Sequence, residues 1–232
     1  MTRVGQFGRS AALLLVLLLL AAPPAAKCGD SPGPGVDWSK CDKKKKVLRD
    51  RDMSGGTFER TDLSFSSLSG SNLTGAKLGR ANLAGARFEG SDLSGADLTK
   101  ALASRTDFAG ATLAGAVLSK VEMARAKLAG ADLSNADLSK GEFERAQFHG
   151  ANLEGATLAY ADLARADLTG AKLAGADLTG AYTLLIRIEG TDLTAVTGLT
   201  QQQLDIACGD VATKLPNGLT APADWPCPAV EE

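Results

Sequence analysis

Aromatic side chains are scarce in this sequence: they make up 5% of the 232 residues, although 44% of the residues are hydrophobic. The apolar content therefore comes mostly from Leu and Ala, which would make a poor core for a conventional globular protein. Few rings together with 26 Gly residues point instead to a repeat architecture. The length alone predicts one domain, or at most two.

The sequence also has little material for catalysis or metal binding. It contains one histidine, His149, and four cysteines, and it lacks the GxSxG, P-loop, HExxH and dinucleotide-binding motifs. We therefore predict a protein that is not an enzyme and has no catalytic residue, cofactor or metal site. The formal net charge of −2 argues against a nucleic-acid partner, because proteins that bind nucleic acids carry a strong basic excess.

An export signal is indicated by residues 1–26. Arg3 and Arg9 form a positive leading region, residues 11–22 form an apolar run of twelve, and small residues near Ala26 offer a cleavage site. A membrane-spanning helix needs roughly 20 apolar residues, so the run is too short to be one. We predict a periplasmic or secreted protein without a transmembrane helix in its mature form. The alternative is an uncleaved membrane anchor.

A five-residue period dominates the chain from Phe58 to Leu193. Of the 28 positions in this register, only Ala103 and Thr183 are not large and apolar. A small residue comes two positions earlier, with Val121 and Ile186 as the exceptions, and the residue between is often Asp or Asn, as in the Ala-Asp-Leu-Thr run at 96–99. A period of five fits neither a helix nor a strand, so each unit should form one side of a closed coil.

The A-(D/N)-L-x-x pattern over residues 46–195 resembles the pentapeptide-repeat family. This resemblance implies an all-β fold, a right-handed quadrilateral β-helix with four pentapeptides per coil. The 28 units would then make about seven coils, a rod of about 34 Å at the spacing of paired strands.

The segments on either side of the repeat are predicted to cover its ends. Over 27–56 we expect an N-terminal cap and a broken first coil, because Lys43 occupies an inward position of the register. The β-helix then spans 57–195, and a C-terminal cap of one short helix and an irregular tail spans 196–232. Thr200 followed three residues later by Gln203 is a capping box, which predicts a helix to about Ala207.

Taking every twentieth residue divides the repeat into four faces. The second residue after each inward side chain is always Gly on one face, and it is Gly or Asn on the next until the last coil. Positions that accept only Gly or Asn indicate a positive φ, so we predict type II corners on these two faces and non-Gly corners on the other two.

Basic residues occupy the other two corners. We call one corner the mixed ladder and the other the Arg ladder, with rungs about 5 Å apart if the coils stack in register. One interpretation is an ion-paired surface that keeps the rod soluble, and the other is a stripe that binds an anionic partner. The mixed ladder comprises Arg60, Arg80, Lys100, Lys120 and Lys140, and the Arg ladder comprises Arg105, Arg125, Arg145 and Arg165.

Two cysteines precede the repeat and two follow it. Bridged cysteines have Cα atoms roughly 4.4–6.8 Å apart, so a pair across the length of the rod is excluded. For an exported chain we predict the disulfides Cys28–Cys41 and Cys208–Cys227, with free buried thiols as the alternative.

Recurring aspartates could suggest acid–base pairs or a calcium ladder. Asp92, Asp132 and Asp192 share one face, but their spacing arises from the repeat, and they alternate with Thr, Asn and Lys. We therefore predict a structural role for them.

The predicted function is a non-enzymatic structural or protein-interaction solenoid exported to the cell envelope. Its partner would be a protein or an anionic envelope polymer, docked along the basic ladders. The alternative, implied by the resemblance alone, is protection or inhibition of DNA gyrase by mimicry of DNA, as in some family members. The basic ladders and the export signal oppose that alternative. The resemblance also implies that the chain could form a homodimer through its C-terminal cap.

Overall fold

The fold is a four-sided coil that repeats every twenty residues. A computed structural model describes residues 27–227, and the predicted export signal lies outside the described residues. The chain turns every five residues, and isolated parallel β-bridges join residues twenty apart, from Asp37–Thr57 to Asp177–Thr197. Each side contributes one bridge residue rather than a continuous strand. Within the described residues the one helix is α1, Gln201–Leu204, and no helix there is long and apolar enough to cross a membrane.

Backbone hydrogen bonds connect each coil to the coils on both sides of it. The side with Asp97 is representative: the Asp97 N–H donates to the Ala76 carbonyl of the preceding coil at 2.9 Å, and the Leu98 N–H donates to the Val117 carbonyl of the next coil at 2.7 Å. The same two bonds recur on all four sides. Since buried backbone groups must be paired, this pattern lets the chain stack without long strands.

The core is the column of inward side chains on the axis of the coil. From Met53 to Leu193, every residue in the five-residue register is at most 4% exposed. Aromatic rings meet where they fall on neighbouring rungs: Phe88 and Phe108 stack with centroids 5.0 Å apart. Full burial of a Leu or Phe side chain contributes roughly 2 kcal/mol, so this column is the main source of stability.

Left-handed backbone occurs at the corners of all four faces. Gly110 and Gly130 have φ of 63° and 64°, as the glycine pattern predicts. Arg105 and Lys120 have nearly the same φ, 56° and 58°, and each corner closes with a hydrogen bond from the fourth turn residue to the first. The expected difference between glycine corners and the rest is therefore wrong. All corners share one backbone, and the faces differ only in whether a side chain projects from it.

The first coil is not broken at Lys43. Turns and bridges continue in register from residue 37, with the bridge Asp42–Asp62 on this side. The Lys43 ammonium lies 3.7 Å from the centre of the Trp38 ring and donates to the Cys28 carbonyl at 2.7 Å. A lysine is tolerated at this inward position because no coil precedes it within residues 27–227. Its stem packs at the end of the axis while its charged group reaches the N-terminal segment.

After the repeat, the chain turns across the last coil. Thr200 and Gln203 form the predicted capping box, and α1 ends at Leu204 rather than at Ala207. The Gln203 amide donates to the carbonyls of Leu178 and Ala181, both at 2.9 Å, so its polar group is satisfied although it is buried. The apolar gap left between the last coil and α1 is about 10 Å³, which is no larger than one water molecule.

The four cysteines approach each other in two pairs. The Cys28 and Cys41 sulfur atoms are at bonding distance with Cα atoms 5.5 Å apart, and those of Cys208 and Cys227 are at bonding distance with Cα atoms 5.3 Å apart. Both pairs are compatible with the disulfides predicted from the sequence.

Gly141 provides a test of the packing at the corners. A β-carbon there would lie 2.5 Å from Cε2 of Phe143, whereas one at Gly79 would meet nothing closer than 3.8 Å. We expect Gly141→Ala to lower the free energy of unfolding by about 1–3 kcal/mol through overpacking. Adding Phe143→Leu should recover part of that loss, because leucine lacks the ring carbons that clash. Urea denaturation gives the free energies of unfolding of the unmodified chain, the two single variants and the double variant, which together form a double-mutant cycle.

The control is Gly79→Ala, which should leave stability unchanged or raise it slightly. Strictly additive losses for the Gly141 and Phe143 substitutions would contradict the clash.

Candidate binding face

One side of the coil lies between the two basic ladders, and we call it the ladder face. Its left-handed corners carry the mixed ladder on one edge and the Arg ladder on the other. The bridge residues between the corners form its midline: Asp62, Asn82, Leu102, Glu122, Glu142, Asp162 and Tyr182.

The basic charge of the repeat is concentrated on this face. Residues 57–195 contain 14 Lys and Arg residues, and nine of them belong to the two ladders. All nine are exposed. Among the described residues only one of the nine has a carboxylate within 4 Å, since Arg145 Nε lies 3.8 Å from Glu144 Oε1. The ladders are therefore not an ion-paired lattice, and their charges face solvent.

Keeping basic side chains at these corners costs backbone energy. The nine ladder residues have φ between 56° and 59°, where an L residue costs roughly 1–2 kcal/mol relative to right-handed backbone and glycine costs little. The neighbouring faces mostly use glycine at the equivalent positions. Strained residues that recur in one place are typical of functional surfaces.

Acidic residues run along the midline between the ladders. Glu122, Glu142 and Asp162 are successive bridge partners, so their backbones lie one strand spacing apart. The face thus has two basic edges and an acidic centre in its C-terminal half. A ligand matched to it carries negative charges towards the edges and hydrogen-bond donors towards the centre.

Exposed apolar side chains on this face are not predicted by the five-residue pattern. Residues 57–195 expose five large hydrophobic side chains to more than a third of their area, and four of them, Phe65, Leu102, Tyr160 and Tyr182, lie on the ladder face. Sorting the two tyrosines of the sequence by the twenty-residue period would have placed both there. The five-residue pattern hides them because it describes only the inward positions.

Aspartate and asparagine at the bridge positions have the predicted structural role. Asp97 is representative, because its Oδ1 accepts the Thr99 N–H at 2.8 Å. The same bond recurs along all four sides and orders the approach to each corner. Across residues 27–227 no three His, Cys, Asp or Glu side chains are grouped to hold a metal ion. His149 is exposed.

Comparison with known proteins gives a consistent assignment. The family described as pentapeptide repeats matches in eight copies, over residues 47–80, 66–102, 104–139 and 146–182. The chain belongs to the pentapeptide-repeat family. Members of this family form right-handed quadrilateral β-helices, and they are generally structural or interaction proteins rather than enzymes.

Solved pentapeptide-repeat structures resemble the chain over most of its length. HetL, involved in heterocyst differentiation regulation in the cyanobacterium Nostoc sp. strain PCC 7120, is 30% identical over 79% of this chain and 84% of its own, with a TM-score of 0.42. QnrB1, a plasmid-mediated fluoroquinolone resistance protein, is 22% identical over 76% of this chain and 88% of its own, with a TM-score of 0.51. No curated protein sequence matches significantly.

Substituting a ladder residue by glycine tests the backbone strain. We expect Arg125→Gly to leave the free energy of unfolding unchanged or to raise it by up to about 1 kcal/mol. Glycine removes the strain of the left-handed backbone, and this gain offsets the cost of the greater conformational freedom that glycine has in the unfolded chain. Ala124→Gly, one residue earlier and outside the left-handed region, should lower it by roughly 0.5–1 kcal/mol. Chemical denaturation compares the two, and equal losses would contradict the assignment of strain.

The pKa of Asp192 can be used to test the hydrogen bonds that the aspartates at the bridge positions accept. The Thr194 hydroxyl and then the Lys214 ammonium, 3.0 Å away, lower the pKa of Asp192 to about 2. Its contribution to stability is therefore present above the ordinary carboxyl pKa and is lost as pH falls towards 2. We expect Thr194→Ala to raise this pKa in a carboxyl NMR titration and Thr179→Ala, on another side of the coil, to leave it unchanged. An Asp192 pKa unaffected by Thr194→Ala would contradict the assignment.

Proposed function

We propose that the chain is an exported, non-enzymatic interaction solenoid that docks an elongated anionic partner along the ladder face. About seven coils form the rod, and α1 with the tail that follows closes its C-terminal end. The observation that carries the proposal is the arrangement of the ladders: nine exposed basic residues border one face, and eight of them have no carboxylate within 4 Å among the described residues.

The shape of the face supports an elongated partner. Seven rungs at the strand spacing extend for roughly 30 Å, while the width is one five-residue side of the coil. A standard protein interface buries about 800 Å² on each partner, which is more than a strip of this shape offers. A linear polymer or an extended segment can instead bind each rung in turn.

Electrostatics favours an anionic partner in spite of the neutral composition. Like charges about 5 Å apart on a rigid scaffold repel, and an anion placed along them relieves that repulsion and releases its own counterions. Because the backbone is already ordered, little backbone entropy has to be lost to align the rungs with a partner.

Export to the envelope is supported by the predicted signal at residues 1–26 and by the two cysteine pairs. Disulfides persist in oxidising compartments, so pairs at bonding distance near both ends of the rod are compatible with a periplasmic or secreted protein. Gyrase protection stays the alternative. At 22% identity QnrB1 supports the shared fold alone, and the basic borders of the ladder face are opposite in charge to DNA.

The test is binding to poly-glutamate, a flexible anionic polymer, measured by calorimetry over a range of salt concentrations. The variant Arg105→Gly, Arg125→Gly, Arg145→Gly and Arg165→Gly removes the Arg ladder at corners whose backbone glycine accepts. We expect at least tenfold weaker binding, with the salt dependence reduced by about one counterion for each ion pair that the substitutions remove.

The matched control removes four positive charges from the other three faces: Lys77→Ala, Arg87→Ala, Lys127→Ala and Lys172→Ala. Binding should change little in this variant. Equal weakening by both variants would show that only net charge matters, and no weakening by the glycine variant would exclude the ladder face.

A further inference from the structure

The two tyrosines of the chain lie together at the C-terminal end of the ladder face. Tyr160 occupies the corner that continues the mixed ladder after Lys140, and Tyr182 continues the midline after Asp162. They are 61% and 47% exposed. An exposed aromatic pair is uncommon in a chain with so few rings, and here it adjoins unpaired basic residues.

The ring of Tyr160 lies next to Gly180 of the following coil. A β-carbon at Gly180 would lie 2.8 Å from Cδ1 and Cε1 of Tyr160, so the absence of a side chain at Gly180 makes room for the ring. The ring nevertheless stays largely open to solvent, since Tyr160 is 61% exposed. Tyr182 follows Gly180 by two residues, so the rings border the same part of the face.

Charged groups surround this aromatic pair on three sides. Lys140 lies one rung earlier on the same corner, Arg165 lies on the opposite corner of the Tyr160 rung, and Asp162 lies between them on the midline. Neither Lys140 nor Arg165 has a carboxylate within 4 Å among the described residues. The site therefore offers exposed aromatic rings, two cations and a hydrogen-bond acceptor on one side of the coil.

We infer that the ladder face binds an acidic polysaccharide, with sugar rings stacked on Tyr160 and Tyr182 and their carboxylates directed to the ladders. This inference rests on the proposed function and specifies its partner. The C–H face of a sugar ring packs on an exposed aromatic ring, while uronate carboxylates pair with Lys and Arg. Repeating units of one sugar length also suit rungs spaced at about 4.8 Å.

The acidic midline distinguishes a polysaccharide from a nucleic acid. Glu122, Glu142 and Asp162 can accept hydrogen bonds from sugar hydroxyls. Duplex DNA carries about one negative charge for each 1.7 Å of its axis, so its phosphates would lie close to these carboxylates. A polyuronate has one charge per sugar and hydroxyl donors between the charges, which matches basic edges and an acidic centre.

The experiment compares two polymers on the full chain. Alginate, a polyuronate, is titrated beside poly-glutamate, which has carboxylates but no sugar rings. The variant Tyr160→Gly with Tyr182→Ala removes both rings and keeps the corner backbone. We expect about tenfold weaker binding to alginate and unchanged binding to poly-glutamate, because stacking contributes only where a ring is available to stack.

The matched control is Tyr160→Phe with Tyr182→Phe, which keeps both rings and should bind alginate as the unmodified chain does. Unchanged alginate binding in the variant without rings would overturn the stacking inference. An equal loss for both polymers would also overturn it, since the rings would then act on anions in general.

The failure of the proposed function has a different signature. In that case the glycine variant of the Arg ladder would bind alginate and poly-glutamate as tightly as the unmodified chain. Dextran, a neutral polysaccharide, provides the last comparison: binding as tight as that of alginate would show that the carboxylates contribute nothing, and would overturn the assignment to an acidic polymer.

Discussion

Every property of this protein depends on the backbone hydrogen bonds between residues about twenty apart. They join each side of a coil to the same side of the next, as in the bridge from Asp97 to Val117. Because the register is constant from residue 37 to residue 197, positions that share a place in the twenty-residue cycle become straight columns. Inward columns form the core, and outward columns become linear arrays of one chemistry. Patterning along the sequence is thereby converted into patterning along a surface.

Rigidity is what separates these arrays from ordinary surface charge. Lysines on a flexible loop move apart and lose their mutual repulsion at little cost. The ladder residues can separate only by reorienting their side chains, because each projects from a corner whose backbone is bonded to the next coil; the Arg125 N–H, for example, donates to the Glu144 carbonyl at 2.8 Å. The free protein therefore keeps more of this repulsion than a mobile surface does, so a matching anion gains more from binding here.

The inward register and the left-handed glycine corners could be predicted from the sequence, because each follows from steric rules that apply in every coil. The grouping of the cysteines in two pairs could be predicted because the length of the rod separates the two ends. The prediction for Lys43 is wrong for the opposite reason: this residue belongs to the first coil, where an inward position opens onto the N-terminal segment. The left-handed backbone at Arg105 and Lys120 also escapes sequence reasoning. Composition reveals such a backbone only where glycine is used, and the hydrogen bonds of the stack can impose it on any residue.

The exposed tyrosines illustrate a second limit of sequence reasoning. Whether Tyr160 projects into water or lies against the chain depends on Gly180, twenty residues later. Such a pair is visible only when the sequence is arranged by coils. The five-residue period identifies the side chains that are buried, and the twenty-residue period identifies the side chains that share one exposed face.

The twenty-residue register also determines which changes in length the protein can accept during evolution. An insertion of five residues would preserve every inward side chain, yet it would rotate all later residues by one face. Residues after the insertion would then lie one corner further round, so that the corner of Arg145 would continue as a different column, and so would the corner of Gly150. Each ladder would be interrupted where the insertion begins. Gain or loss of a whole coil leaves the columns continuous and changes only their length. Duplication in units of twenty is therefore the route by which this surface can be extended without losing its pattern.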